Sequence, residues 1–214
     1  YGHSISDEEL DERIASIHKD DLCSIVYTSG STSAPKGVEM THANYLAFAL
    51  NLRAFIPDLL ENDTHTVLLF LPQAHSFARA INYGVVNSRI RIYIATGIKT
   101  LLQDLAVARP TVMIAVPRVF EKVYNAASQK AGRGVKGHVF NAAANAARDY
   151  MNQISESGHA SALATARRAS FDPIVYSSLR QALGGRAKLL VCGGAPLDPQ
   201  LLSFFRGAGL PVYE

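Results

Sequence analysis

The residues with the clearest chemical potential are Thr28, Ser29, Gly30, Ser31, Thr32, Ser33 and Lys36, gathered in one short stretch and closed by Gly37. Small residues let backbone N–H groups approach an anion closely, hydroxyls add donors that rotate to fit, and a lysine brings a mobile point charge. That combination suits a phosphate cradle. The same composition also makes a solvated Ser/Thr/Gly turn in a hairpin. A Walker loop, by contrast, needs Gly-x4-Gly-Lys-Ser/Thr running straight into a helix. Here Pro35 precedes Lys36 and Gly37 follows it, so no hydroxyl stands after the lysine and helical entry is disfavoured. This pattern argues against a kinase-type or GTPase-type loop.

Two β-prone runs must position this loop, one over 22–28 that enters it and one over Gly37 to Thr41 that leaves it. Before them, the capping-box spacing of Ser6 to Glu9, with Leu10, Ile14 and Ile17 at helical intervals, predicts a helix over 7–18. A helix from Thr41 or His42 to about Leu52 follows, then a strand at 66–71. From there the pattern alternates: helix 75–87, strand 89–95, helix 98–108, strand 111–116, and a helix over 118–130 opened by Pro117. The stretch 131–170 is alanine-rich and reads as a helical insertion, with a helix over 138–152 and an exposed loop at 155–161. A helix over 171–183 ends at Gly184–Gly185, and a strand over 187–191 runs into the turn Gly193–Gly194–Ala195–Pro196. Helix 198–207 and strand 210–213 complete the chain. Strand–helix–strand units with short joins predict an α/β fold of mostly parallel, layered sheets flanked by helices.

Composition bounds the function. The 214 residues are 48% hydrophobic, enough for a packed core, and the net charge of +3 carries no dense basic run of the kind a nucleic-acid surface needs. The two cysteines, Cys23 and Cys192, lie far apart in apolar strand-like runs, which predicts buried reduced thiols, no metal site and a reducing, cytoplasmic setting. No apolar run approaches the roughly 20 residues of a membrane span. Peripheral contact with a membrane stays open, as does the oligomeric state. Tyr1 at the start, and an end inside an expected strand at Val212–Tyr213–Glu214, read as a piece of a larger polypeptide.

In parallel α/β sheets, ligands sit outside the carboxyl ends of strands. Three segments are expected there: the loop after Tyr27, the segment Leu71–Pro72–Gln73–Ala74–His75–Ser76–Phe77–Ala78–Arg79, and Gly193–Pro196. His75 alone could be a hydrogen-bonded structural histidine. The glycines at 193 and 194 could simply make a tight turn, or let backbone lie against a flat ring.

Tyr27 to Gly37 closely resembles the Tyr-Thr-Ser-Gly-Ser/Thr-Thr-Gly-x-Pro-Lys-Gly phosphate loop of the adenylate-forming enzymes, the family of acyl-CoA synthetases, luciferase-like enzymes and peptide-synthetase adenylation domains. Ser33 stands where that family has glycine, a change that would cost about 1 kcal/mol if the position requires positive φ. Leu-Pro-x-x-His at 71–75 is similar to the family's second motif. Cys192–Gly193–Gly194–Ala195–Pro196–Leu197 resembles a Ser-Gly-Gly-Ala-Pro-Leu segment of long-chain acyl-CoA synthetases. The run 116–124 and the helices before Tyr176 also look like that branch.

The resemblance implies ATP-dependent activation of a long-chain fatty acid to acyl-adenylate, then transfer to coenzyme A. An alternative is an acyl-AMP ligase that passes the acyl group to a carrier protein. By the same resemblance Thr28 and Lys36 take catalytic roles, Thr28 to Ser33, Lys36 and Gly37 hold the phosphates with Mg2+, and Gly193, Gly194, Ala195 and Pro196 border adenine. His75, Ser76 and Phe77 line the carboxylate pocket. Residues 1–214 then form part of a large N-terminal AMP-binding domain without its C-terminal partner. As an isolated piece they would be non-catalytic.

Overall fold

The computed structural model describes residues 4–28, 34–55 and 65–214, which fall into two compact units. One holds the described residues up to 55 together with Pro72–Ser88. The other holds residues 65–71 and Arg89–Glu214.

In the first unit, α1 (Asp7–Ala15) starts where Ser6 caps the backbone N–H of Glu9 at 3.2 Å. It stops about one turn short of the expected end. Strands β1 (Leu22–Thr28) and β2 (Lys36–Thr41) pair antiparallel in a sheet of their own, with Val26 opposite Val38 and Thr28 opposite Lys36. This corrects the placement of the loop after Tyr27 at the end of a strand in the parallel sheet: it joins a hairpin. The physical reason is parity, since a chain that returns within seven residues can only pair antiparallel. Helices α2 (His42–Phe55) and α3 (Ser76–Asn87) bury Tyr45, Ala49, Ala78 and Ile81. They approach so closely at Gly84 that a Cβ there would meet Leu52 Cδ2 at 3.2 Å.

The second unit is a five-stranded parallel sheet in the order β4-β3-β5-β6-β7, formed by β3 (Thr66–Leu69), β4 (Arg91–Ile94), β5 (Val112–Ala115), β6 (Leu189–Cys192) and β7 (Val212–Tyr213). Four consecutive residues of β3 and of β5 are buried, so the central strands are covered on both faces. Edge strand β4 leaves Ile94 82% exposed. The order reverses between β3 and β5, the switch point at which such sheets open a crevice beyond their carboxyl ends. At the opposite end His65 and Thr66 are clamped by the Thr111 hydroxyl, at 3.0 Å from the imidazole and 2.9 Å from the Thr66 N–H.

The covering helices are α4 (Leu101–Ala108), α5 (Pro117–Ala131), α6 (Val135–Ser157), α7 (Ala162–Ser170), α8 (Ser177–Ala182) and α9 (Pro199–Gly207). Pro117 occupies the first turn of α5, where its missing N–H costs nothing. Helix α6 runs 23 residues and absorbs part of the stretch read as a loop at 155–161. Its small face, Ala143, Ala144 and Ala147, is fully buried, and Phe140 joins Tyr124, Phe204 and Phe205 in an aromatic cluster of tilted and edge-on rings with centroids 4.9–5.5 Å apart. The expected continuous helix over 171–183 is interrupted: Asp172–Tyr176 forms a π-helical turn before α8. Arg180 grips Asp172 through two hydrogen bonds of 2.9 and 2.7 Å and donates to the Ala208 carbonyl at 2.8 Å. No helix among the described residues is long and apolar enough to cross a membrane.

Gly207 sits where α9 presses on α6, and a Cβ there would lie 2.7 Å from the Ala147 carbonyl carbon and 2.8 Å from its Cα. Alanine is the better helix former by about 1 kcal/mol, but backbone cannot yield as a side-chain tip can. Gly207→Ala is therefore expected to destabilise by ~1–3 kcal/mol, read as a lower urea midpoint with an unchanged slope.

Candidate active site

The strands β1 and β2 flank the hydroxyl-rich stretch between Thr28 and Lys36. Of its expected phosphate ligands, Ser29, Gly30, Ser31, Thr32 and Ser33 lie outside the described residues. The two flanking ones are well defined by register: Thr28 and Lys36 are direct cross-strand partners at the neck, and the Thr28 hydroxyl donates to the Lys36 carbonyl at 3.4 Å. Both side chains are exposed. Gly37 follows, and a Cβ there would lie 2.9 Å from Ile25 Cγ2 and 3.5 Å from Tyr27 Cε1. Its role is close approach, letting the side chains of β1 lie across β2.

A group that sequence reasoning missed anchors the base of this hairpin. One extra residue on β1 makes a bulge at Cys23. Its thiol meets the Tyr83 hydroxyl at 3.0 Å, Tyr83 stacks on Tyr45 at 4.8 Å, and the Tyr45 hydroxyl meets Ser24 Oγ at 3.0 Å. The hydrogen bond with Cys23, then burial, pushes the Tyr83 phenol up. No spacing in the sequence announces this contact, because residues 23, 45 and 83 meet through three separate elements.

His75 is the N-cap residue of α3, exposed, with no side-chain capping bond; its N–H donates to the Pro72 carbonyl at 3.0 Å. Ser76 is exposed and Phe77 half-buried. Beside them Gln73, Arg79, Asn82, Tyr83 and Val86 line a cleft of about 310 Å3. Arg79 Nε donates to the Gln73 carbonyl at 3.4 Å, while Gln73 Nε2 is buried without a protein acceptor. These donors suit an acceptor-rich group.

Gly193–Pro196 belongs to the other unit, at the carboxyl end of β6 as expected. The Gly193 N–H extends the ladder to the Ala115 carbonyl at 3.0 Å, and Gly194 turns the chain with φ +84°. A Cβ at Gly194 would find only Val116 Cγ1 at 3.7 Å, so the dihedral, and not crowding, calls for glycine. Gly194, Ala195 and Pro196 are exposed, leaving a bare backbone face. Glu214 Oε1 accepts from the Leu197 N–H at 2.9 Å and ties this turn to the residue after β7. Both cysteines are free thiols. Burial, and then Glu214, pushes the Cys192 thiol up to about 11. Among the described residues no cluster of three His, Cys, Asp or Glu could hold a metal ion.

Two outcomes follow from this geometry. Because the His75 side chain is exposed and makes no hydrogen bond among the described residues, His75→Ala should leave the unfolding midpoint within about 0.5 kcal/mol of the parent, measured in urea. The raised Cys192 pKa stabilises the folded chain in full below the unfolded thiol's pKa and is lost as pH climbs through the folded value. Tyr176, pushed up to about 12 by burial, acts with the same sign. Thermal midpoints should therefore fall between pH 9 and 12, and Cys192→Ser should flatten the lower part of that fall.

Residues 2–214 match the family of AMP-binding enzymes. The chain is 43% identical over 213 residues to the long-chain-fatty-acid–CoA ligase FadD15 of Mycobacterium tuberculosis, covering all of this chain and 35% of that protein. It is 33% identical over 195 residues to long chain acyl-CoA synthetase 4 of Arabidopsis thaliana, covering 88% and 28%. Among solved structures, o-succinylbenzoate coenzyme A synthetase of Bacillus subtilis, in complex with AMP, superposes with a TM-score of 0.57 at 16% identity, over 92% of this chain and 30% of that one. The adenylation and carrier didomain of the Segniliparus rugosus carboxylic acid reductase gives 0.57 at 24%, over 92% and 24%. The chain thus spans about a third of the length of the curated relatives it matches. By the family match over nearly its whole length, it belongs to the AMP-binding enzymes.

Proposed function

We propose that the full-length protein activates a long-chain fatty acid with ATP and transfers the acyl group to coenzyme A. The supporting observation is the register that sets Thr28 against Lys36 at the neck of a seven-residue loop, in a chain 43% identical to a protein named a long-chain-fatty-acid–CoA ligase. In this reading residues 1–214 are part of the large N-terminal domain, and activity requires the rest of the protein.

A carboxylate is a poor electrophile and must first gain a leaving group. One carboxylate oxygen attacks the α-phosphorus of ATP, the bond to the β-phosphate oxygen breaks, and pyrophosphate leaves. The coenzyme A thiol, losing its proton, then attacks the acyl carbon and AMP departs. Negative charge builds on the leaving pyrophosphate in the first step. Lys36 and the hydroxyl of Thr28, with Ser29 to Ser33 and Gly37, would bind those oxygens and meet that charge. His75, Ser76 and Phe77 would shape the carboxylate pocket, and the bare backbone at Gly193–Pro196 would lie against adenine. The described residues flanking the loop, Thr28 and Lys36, offer a hydroxyl and a cation but no carboxylate, so Mg2+ would arrive on the nucleotide's phosphates. A cytoplasmic enzyme with peripheral membrane contact fits an apolar substrate.

The test is carboxylate-dependent exchange of labelled pyrophosphate into ATP by the full-length protein. Lys36→Ala should slow it roughly 10²–10³-fold; an unchanged rate would overturn the role given to the loop. Palmitate with coenzyme A should yield palmitoyl-CoA, identified by mass, and a thioester formed only on an acyl carrier protein would overturn the assignment of the acceptor.

A further inference from the structure

A different feature lies wholly within the second unit, among α4, α5, α6, the π-helical turn and α8. A cavity of about 560 Å3 opens there, inside the range of about 300–1,000 Å3 typical of small-molecule sites. Leu102, Val123, Val139, Phe140, Val175 and Leu179 give it apolar walls. Its charged lining groups are two lysines, Lys130 from the last turn of α5 and Lys136 from the first turn of α6, and no acidic residue lines it. Among the described residues neither lysine has an ion-pair partner. Asp172, the acid of the π-helical turn, is already engaged by Arg180 at 2.7 Å.

The mouth is built rather than collapsed. Gly132 and Gly134 turn the α5–α6 join with φ +68° and +84°, and a Cβ on Gly137 would run into the Gly132 carbonyl oxygen. The join is therefore tight, with the two lysines on either side of it. Along the opposite wall the π-helical turn inserts its extra residue, a distortion that recurs at functional sites. Ile174 and Val135 stand uncovered at the rim, 61% and 80% exposed.

We infer that this cavity is an accessory binding site for a monomeric long-chain carboxylate, its alkyl chain against the aliphatic walls and its anionic head at Lys130 and Lys136. An uncharged lipid would leave both cations without a purpose, and a polar anion would waste the walls. The site shares no residue with the loop at Thr28–Lys36 or with the His75 segment, so it adds a second place for the same chemical class as the proposed substrate.

The experiment uses the full-length protein and a sixteen-carbon carboxylate bearing a diazirine near its tail, photolysed below its micellar concentration and mapped by peptide mass. Label should appear within Val123–Val139 or Ile174–Leu179. The double change Lys130→Glu with Lys136→Glu should lower it by ~5-fold or more, the scale of a lost exposed ion pair, while arginine at both positions should keep it. Lys36→Ala should leave this label unchanged while slowing pyrophosphate exchange as above, which separates the two sites. Absence of label there, equal labelling by the methyl ester, or labelling only with anionic vesicles present would each overturn the inference. Both lysines are exposed, and a urea midpoint on the double variant verifies that it folds.

Discussion

The constraint on which the second unit depends is that a parallel sheet must be covered on both faces. Val67, Leu68, Met113, Ile114, Leu189 and Leu190 are buried whichever way they point, so helices have to close over both sides. That requirement fixes the close contact of α6 with α9, where Gly207 meets the backbone of Ala147, and it fixes the aromatic cluster of Tyr124, Phe140, Phe204 and Phe205. It also decides where chemistry can happen. With both faces filled, the strand ends are what remain open, and at the carboxyl end of β6 the chain presents Gly194 at positive φ with the exposed backbone of Ala195 and Pro196 after it. The closed amino end shows the contrast: there His65 and Thr111 are buried and satisfied by each other.

The hairpin of the first unit solves another problem. A loop of hydroxyls and glycine has no core of its own, so its geometry comes from its neck. The neck is stiffened by a ladder from Ser24–Met40 to Thr28–Lys36 and by the side chains of β1 lying over Gly37. The ladder in turn rests on the contacts from Cys23 and Ser24 to the stacked pair Tyr83 and Tyr45. Lys36 is held by its backbone while its ammonium stays in solvent, an arrangement suited to an anion that arrives and leaves.

Much of this was legible from residue types. The strand over 22–28, the capping of α1 by Ser6, Pro117 at the head of α5 and the turn at Gly193–Pro196 all rest on local chemistry, and local chemistry is what a sequence displays. Three features were not legible, each for a physical reason. Composition allows both a hairpin turn and a loop at the end of a parallel strand after Tyr27, and the choice between them is hidden because alternation tells a strand from a helix but not which partner it pairs with. The π-helical turn at Asp172–Tyr176 leaves helical periodicity almost intact over five residues, so it is invisible in a helical pattern. The contact of Cys23 with Tyr83 spans 60 residues and depends on how elements pack. Of the site residues, Lys36, His75 and Gly193 could be found because their neighbours form recognisable motifs; Gln73 and Arg79, which line the cleft beside His75, fall inside the segment expected at a strand end, but nothing in their residue types gives them a role there.

The cavity among α4, α5, α6 and α8 follows from the same packing rule applied to small residues. Alanine at 126, 127 and 131 of α5 and at 182 of α8 leaves room that leucine would have filled, and a well-packed protein keeps few voids larger than a water molecule. Extra room costs stability when it is sealed, because its lining loses contacts. Here the room is open and bordered by two cations with no acidic group in its lining, and the π-helical turn holds one wall in place. A fold that only needed to cover its sheet could have closed this gap with larger side chains on α5. Keeping small ones, with glycines setting the join between Lys130 and Lys136, is what a bound alkyl chain would require.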